Sequence, residues 1–138
     1  MRKNYLAMKM KKAIKILLVE DNPGDARTIL EMLNDSDNTH YDIFQTTRLD
    51  EGIKILIKDH FDLILLDLCL PDSEGMDTFN IMKYNAPDLP IIILTGIKED
   101  IFAVGAVGRG AHDYLVKGEI NSKLLATSIQ KAMKVSPE

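Results

Sequence analysis

Apolar residues along this chain fall into two patterns that alternate. Unbroken runs of four, at residues 16–19, 63–66 and 91–94, are separated by longer stretches in which apolar residues recur at helical spacing. The runs and their flanking turn signals predict strands at 14–19, 43–46, 63–66, 91–94 and 114–116. Strands without polar alternation are buried on both faces, which calls for a parallel sheet covered by helices on each side. Between the strands, Ala26, Ile29, Leu30 and Leu33 mark one apolar helical stripe, and Leu49, Ile53, Leu56 and Ile57 mark another. Strand and helix therefore alternate five times, a doubly wound α/β order.

The helix ends carry their own signals. Asn22 followed by Pro23 reads as an N-cap and first helical residue, because proline lacks the N–H that would go unsatisfied there. Thr47 and Ser122 are the cap candidates for the second and fifth helices. The third helix is expected to start near Gly75 and run through Met76 and Phe79 to about Tyr84, where Pro87 and Pro90 stop it. The fourth, between Asp100 and Arg109, contains Gly105 and Gly108; each costs about 1 kcal/mol against alanine, so this helix is expected to be the least stable.

A length of 138 residues suits one domain, expected over 14–134, with a basic arm at 1–13 and a short tail at 135–138. Four-residue apolar runs fall far short of the ~20 residues that cross a bilayer, so no membrane insertion is expected. A single cysteine, Cys69, and the lack of a secretory h-region point to a reducing, cytoplasmic setting. Charge changes the picture more. Six of the 17 basic residues precede Glu20, leaving 11 against 21 acidic ones, a net charge of about −10 for the body. Such a body is a poor nucleic-acid binder, because phosphate neutralisation needs clustered Lys and Arg. The arm reads as a solvated charge run.

In a doubly wound sheet, ligands gather beyond the carboxyl ends of the strands. Glu20 and Asp21 follow the first strand, Asp67 the third, Thr95 and Gly96 the fourth, and Lys117 the fifth. Three carboxylates on one rim repel one another unless a cation relieves them. Magnesium suits such a set, since it takes oxygen ligands and keeps waters with which to meet a phosphate. Asp25, in the first turn of the first helix, is expected to face away from this rim. His40, His60 and His112 show no ligand spacing and read as ordinary surface or packing residues, and the methionines as filler.

The segments LLVEDNPGDAR (17–27), LILLDLCLPDSEG (63–75), IIILTG (91–96) and GAHDYLVKG (110–118), in this order, resemble the receiver domain of two-component response regulators over residues 14–134. The resemblance implies a flavodoxin-like (βα)5 fold with a five-stranded parallel sheet of order 2-1-3-4-5. It makes Asp67 the acceptor of a phosphoryl group from a sensor histidine kinase or a phosphotransfer protein. It also implies Mg2+ held by Glu20, Asp21, Asp67 and the backbone carbonyl of Cys69. Lys117 and Thr95 would meet the phosphoryl oxygens, with Thr95 and Tyr114 forming a switch. That switch is expected to be read on the fourth helix, fifth strand and fifth helix, near residues 101–107, Tyr114 and Lys123. The implied activity is that of a phosphoacceptor signalling domain that assists its own phosphorylation and dephosphorylation, not of an enzyme. Its further partner would be a downstream protein target or output domain, and its state a monomer or a weak phosphorylation-dependent dimer. With the sequence stopping at Glu138, a stand-alone regulator and an excised receiver are both open.

Three features depart from the family pattern. Gly118 follows Lys117 where a proline with a cis peptide is usual, leaving that peptide's geometry open. The loop LPDSEG replaces the frequent Met-Pro-x-Met-x-Gly type. Cys69 is expected to be a small buried thiol. Competing functions fare worse. A flavin mononucleotide site would need a hydroxyl- and glycine-rich loop where Glu20 and Asp21 would repel the phosphate. A magnesium phosphohydrolase would show Asp-x-Asp after the first strand. A phosphorylation-independent receiver-like interaction module remains as the alternative, although every rim residue is present.

Overall fold

The computed structural model describes residues 13–35 and 39–135. The arm expected at 1–13 therefore lies outside the described residues except for Ala13, which opens the first strand. Strands β1 (Ala13–Val19), β2 (His40–Thr46), β3 (Leu63–Asp67), β6 (Ile91–Thr95) and β7 (Asp113–Val116) form one parallel sheet in the order β2-β1-β3-β6-β7. Counted within that sheet, this is the expected 2-1-3-4-5 order. Helices α1 (Pro23–Asn34), α2 (Leu49–Lys58), α3 (Met76–Asn85) and α4 (Ile101–Gly108) lie in the four connections, and α5 (Ser122–Val135) follows the last strand. A two-stranded antiparallel hairpin, β4 (Cys69–Leu70) with β5 (Ser73–Glu74), occupies the loop after β3 and has no counterpart in the periodicity.

The two-residue period of each strand sorts its side chains onto two faces. Leu17, Val19, Ile64, Leu66, Ile91 and Ile93 meet Leu49 of α2, Phe79 and Met82 of α3, and Ala103 and Ala106 of α4. Ile16, Leu18, Leu63, Leu65, Ile92 and Leu94 meet Ala26, Ile29 and Leu33 of α1 and Leu125 and Ile129 of α5. Both cores lie under helices, which is why β3 and β6 are apolar up to their last residues, Asp67 and Thr95. Among the described residues no helix is long and apolar enough to cross a membrane.

Register positions the rim. Val19 pairs with Leu66, Asp67 with Leu94, and Thr95 with Val116. The ladder continues one step further, with Glu20 N–H donating to Thr46 O at 2.9 Å and Lys117 N–H to Thr95 O at 2.7 Å. Glu20, Asp67, Thr95 and Lys117 thus have their backbones fixed at one end of the sheet.

Local chemistry corrects four expectations. Asn22 does cap α1, its Oδ1 accepting from Asp25 N–H, with Pro23 in the first turn. The α2 cap is not Thr47: Asp72, at the tip of the β4–β5 hairpin, accepts from Leu49 N–H at 2.9 Å and Asp50 N–H at 3.0 Å. The α5 cap is Asn121, which accepts from Leu124 N–H at 2.8 Å, and not Ser122. Ile57 is 78% exposed. It stands about 80° around the helix from Leu49 at 100° per residue, while the close contact of α2 with β1 runs through Gly52, where a Cβ would lie 3.3 Å from Val19 Cγ2. Cys69 is exposed, not buried, because it starts the hairpin beyond the sheet's edge.

Candidate functional site

Glu20 leaves β1 fully buried, Asp67 ends β3 buried, and Asp21 is exposed beside them. One carboxylate oxygen from each lies within 4.8 Å of the others. Lys117, one residue beyond β7, brings its ammonium 2.6 Å from Glu20 Oε1 and donates to Asp67 Oδ2 at 2.8 Å. It also donates to Asp25 Oδ2 at 3.0 Å. Asp67 Oδ1 accepts from Cys69 N–H at 2.9 Å, and Glu20 Oε2 from Asn22 N–H at 3.1 Å. Both buried carboxylates are therefore held in place by the backbone as well as by the lysine.

Burial, and next the adjacent Asp67 carboxylate, push the Glu20 carboxyl up to about 7, against the opposing pull of Lys117 and the Asn22 N–H. Burial works against the Lys117 ammonium, but Asp67, Glu20 and Asp25 outweigh it and raise the lysine above its ordinary value. It stays charged at neutral pH. For the Cys69 thiol, what burial it has and the negative charges of Asp67, Glu74 and Asp21 act in the same upward direction. A protonated thiol is neither a nucleophile nor a metal ligand.

The structure brings together Glu20, Asp21, Asp67 and Lys117. It also brings in Asp25, contrary to the expectation that this residue faces away from the rim. Side chains tilt toward a helix's N-terminus, and the N-terminus of α1 lies at the rim, so a carboxylate in the first turn reaches back to it. Thr95 lines the same cavity of about 730 Å³ as Asp67 and Cys69. Its hydroxyl, however, donates to Asp100 Oδ2 at 2.8 Å and to no site carboxylate among the described residues. Tyr114 packs half-buried against the core under α4. The Lys117–Gly118 peptide is trans.

The donor set fits a hard divalent cation. All three candidate side chains offer oxygen, they converge within one ion's reach, and Asp21 has no hydrogen-bond or ion-pair partner among the described residues. A buried acid pair with a lysine across it, at the carboxyl edge of a sheet of this order, is the architecture on which comparison with known proteins decides. The family model described as response regulator receiver domain matches residues 16–129. This chain belongs to that family. It is thus a receiver domain of the two-component type.

Receiver relatives include the cell cycle transcriptional regulator CtrA of Caulobacter vibrioides, 33% identical over 113 residues, covering 82% of this chain and 48% of that protein. The cell cycle response regulator CtrA of Brucella ovis is 32% identical over 82% of this chain and 47% of its own length. The chain spans about half the length of these curated relatives. Among solved structures, a response regulator receiver domain protein from Clostridium thermocellum superposes with a TM-score of 0.76 at 26% identity, over 88% of this chain and 94% of that one. A CheY-like receiver domain protein from Methanospirillum hungatei gives 0.76 at 24% identity, over 89% and 95%, a likeness of fold alone.

Proposed function

We propose that this receiver accepts a phosphoryl group on Asp67 from the phosphohistidine of a sensor histidine kinase or phosphotransfer protein, in the cytoplasm, and passes the change to a downstream protein target or output domain. The observation that carries the reading is the setting of Asp67. Its carboxylate ends a central strand, lines an open cavity, and is held by Lys117 on one oxygen and by a backbone N–H on the other.

In the transfer, a carboxylate oxygen of Asp67 attacks phosphorus. The P–N bond to the histidine breaks, and its electron pair stays on the imidazole nitrogen. Lys117 stands where charge on the phosphoryl oxygens needs neutralising, and positioning plus electrostatics is most of what such a transfer requires. Glu20, Asp21, Asp67 and the carbonyl of Cys69 are the groups that would hold Mg2+, which when bound supplies further charge neutralisation to the phosphoryl oxygens. The same groups would serve hydrolysis of the acyl phosphate, so the domain assists both its own phosphorylation and its own dephosphorylation. The molecule is read as a monomer or a weak phosphorylation-dependent dimer.

Incubation with acetyl phosphate and magnesium, followed by intact mass measurement, should show one added phosphoryl group that requires the divalent ion. An adduct persisting in Asp67→Asn would overturn the assignment.

A further inference from the structure

The Thr95 hydroxyl has one proton to donate. That proton goes to Asp100 Oδ2 at 2.8 Å, with Ile97 O a distant second acceptor at 3.5 Å, while Ile97 N–H donates to Thr95 Oγ1 at 3.1 Å. The other oxygen of the same carboxylate, Asp100 Oδ1, accepts from Phe102 N–H at 2.9 Å and caps α4. One side chain therefore ties the end of β6 to the start of α4 with both its oxygens. The loop between them is tight enough to hold Glu99 at a φ of +55°, in the left-handed region that non-glycine residues seldom occupy. Thr95 and Asp67 share a cavity, yet the hydroxyl is committed to the loop.

We propose that Asp100 is a positioning residue for Thr95, holding its hydroxyl on the N-cap of α4 until an oxyanion on Asp67 competes for its proton. The inference rests on the reading of Asp67 as phosphoryl acceptor. Because the proton serves one acceptor at a time, a phosphoryl oxygen that takes it must break the Thr95–Asp100 bond. Whatever the new bond gains is reduced by the old one lost, and removing the old one raises affinity for the ligand that competes with it.

The test uses the full chain with magnesium and beryllium trifluoride, a phosphoryl mimic that adds to a carboxylate, with binding followed by 19F NMR. Asp100→Ser retains a capping hydroxyl for Phe102 N–H but is too short to reach Thr95 as well. It should bind the mimic about three- to tenfold more tightly, the net worth of one typical intramolecular hydrogen bond. Removing a negative charge also favours an anion, so the same substitution is made in a Thr95→Val background. There the gain should shrink to about twofold or less, since only the screened charge effect remains. Asp100→Asn is a second variant, whose amide can only donate toward Thr95 once its oxygen caps the helix, and it should act in the same direction. Equal gains with and without the Thr95 hydroxyl, or no gain in either Asp100 variant, would overturn the inference while leaving the acceptor role of Asp67 intact. If the unmodified chain shows no Asp67-dependent binding, the functional reading itself fails and takes this inference with it.

Discussion

Lys117 Nζ lies 3.0 Å from Asp25 Oδ2, so the lysine at the sheet's carboxyl edge is shared between the rim and the first turn of α1. Three carboxylates, of Glu20, Asp67 and Asp25, meet this single ammonium. Any ligand that draws Lys117 toward Asp67 must work against Asp25, and any divalent ion that takes up Glu20 and Asp67 lessens their hold on the lysine.

Asp21 and Asp25 should consequently separate in a magnesium titration. Asp21 belongs to the converging oxygen cluster, whereas among the described residues Asp25 touches the site only through Lys117. By calorimetry, Asp21→Ala should lose about tenfold or more in magnesium affinity, on the scale of about 1.5–3 kcal/mol for a group bonded to a charge, and Asp25→Ala should lose less than about threefold. Equal losses would place Asp25 among the ligands.

Lys117→Ala should still melt cooperatively but at a cost. Breaking a buried ion pair costs about 3–5 kcal/mol when a charge is left uncompensated. Here the cost is smaller, because the Glu20 carboxyl, already near 7, takes up a proton instead. Urea denaturation should show a loss of about 1–3 kcal/mol, narrowed by millimolar magnesium, which replaces the missing positive charge. A variant with unchanged stability would show that the lysine serves the site alone.

The Asp72 cap gives stability a pH signature. Burial alone would raise its carboxyl, but the backbone N–H groups, chiefly of Asp50 and Leu49, and the charge of Arg48 outweigh it and hold Asp72 below its ordinary value. A carboxyl lowered in the folded state contributes stability that is fully present above the unfolded pKa, near 4, and is lost as pH falls through the folded pKa. Asp72→Ala should therefore cost about 1 kcal/mol at pH 7, and the gap to the parent should close below pH 4. A gap independent of pH in chemical denaturation would show that the cap acts through packing.

The sheet and its order were legible because residues 63–66 and 91–94 carry no polar interruption, and only strands covered on both faces tolerate that. The Glu20, Asp21, Asp67 and Lys117 cluster followed from reading the one or two residues past each strand. What escaped was direction and distance. Asp25 reaches the rim because a first-turn side chain leans toward its helix's N-terminus, a signal that was present in its spacing from Asn22 but weaker than its helical position suggested. Asp72 and Asp100 act across loops, where no periodicity says which backbone N–H a carboxylate will meet. Cys69 misled because its neighbours Leu68 and Leu70 are buried while the hairpin turns its own side chain outward.

Phosphorylation should be read out along α4, and hydrogen exchange with and without the beryllium trifluoride mimic should change most between residues 96 and 114. The helix is apolar from end to end, yet Ile101, Phe102 and Val104 are exposed, and so is Ile97 in the loop before it. Under the proposed function this is the face that a downstream partner would cover. Gly105 and Gly108 are expected to weaken the helix and are not needed for its shape, since neither has a positive φ. An added Cβ at Gly108 would meet nothing within 4 Å, and at Gly105 only Met76 S at 3.5 Å, an ordinary contact. Gly105→Ala should therefore stabilise by up to about 1 kcal/mol, and Gly108→Ala, at the last residue of the helix, by less. A modest coupling energy shifts a weak element more readily than a strong one, so the doubly substituted chain should show higher protection in α4 at rest and a smaller change when the mimic binds. If protection changed only beside Asp67 and left residues 96–114 untouched, the signal would have to leave by another face, of which α1, tied to Lys117 through Asp25, is the one already in contact with the site.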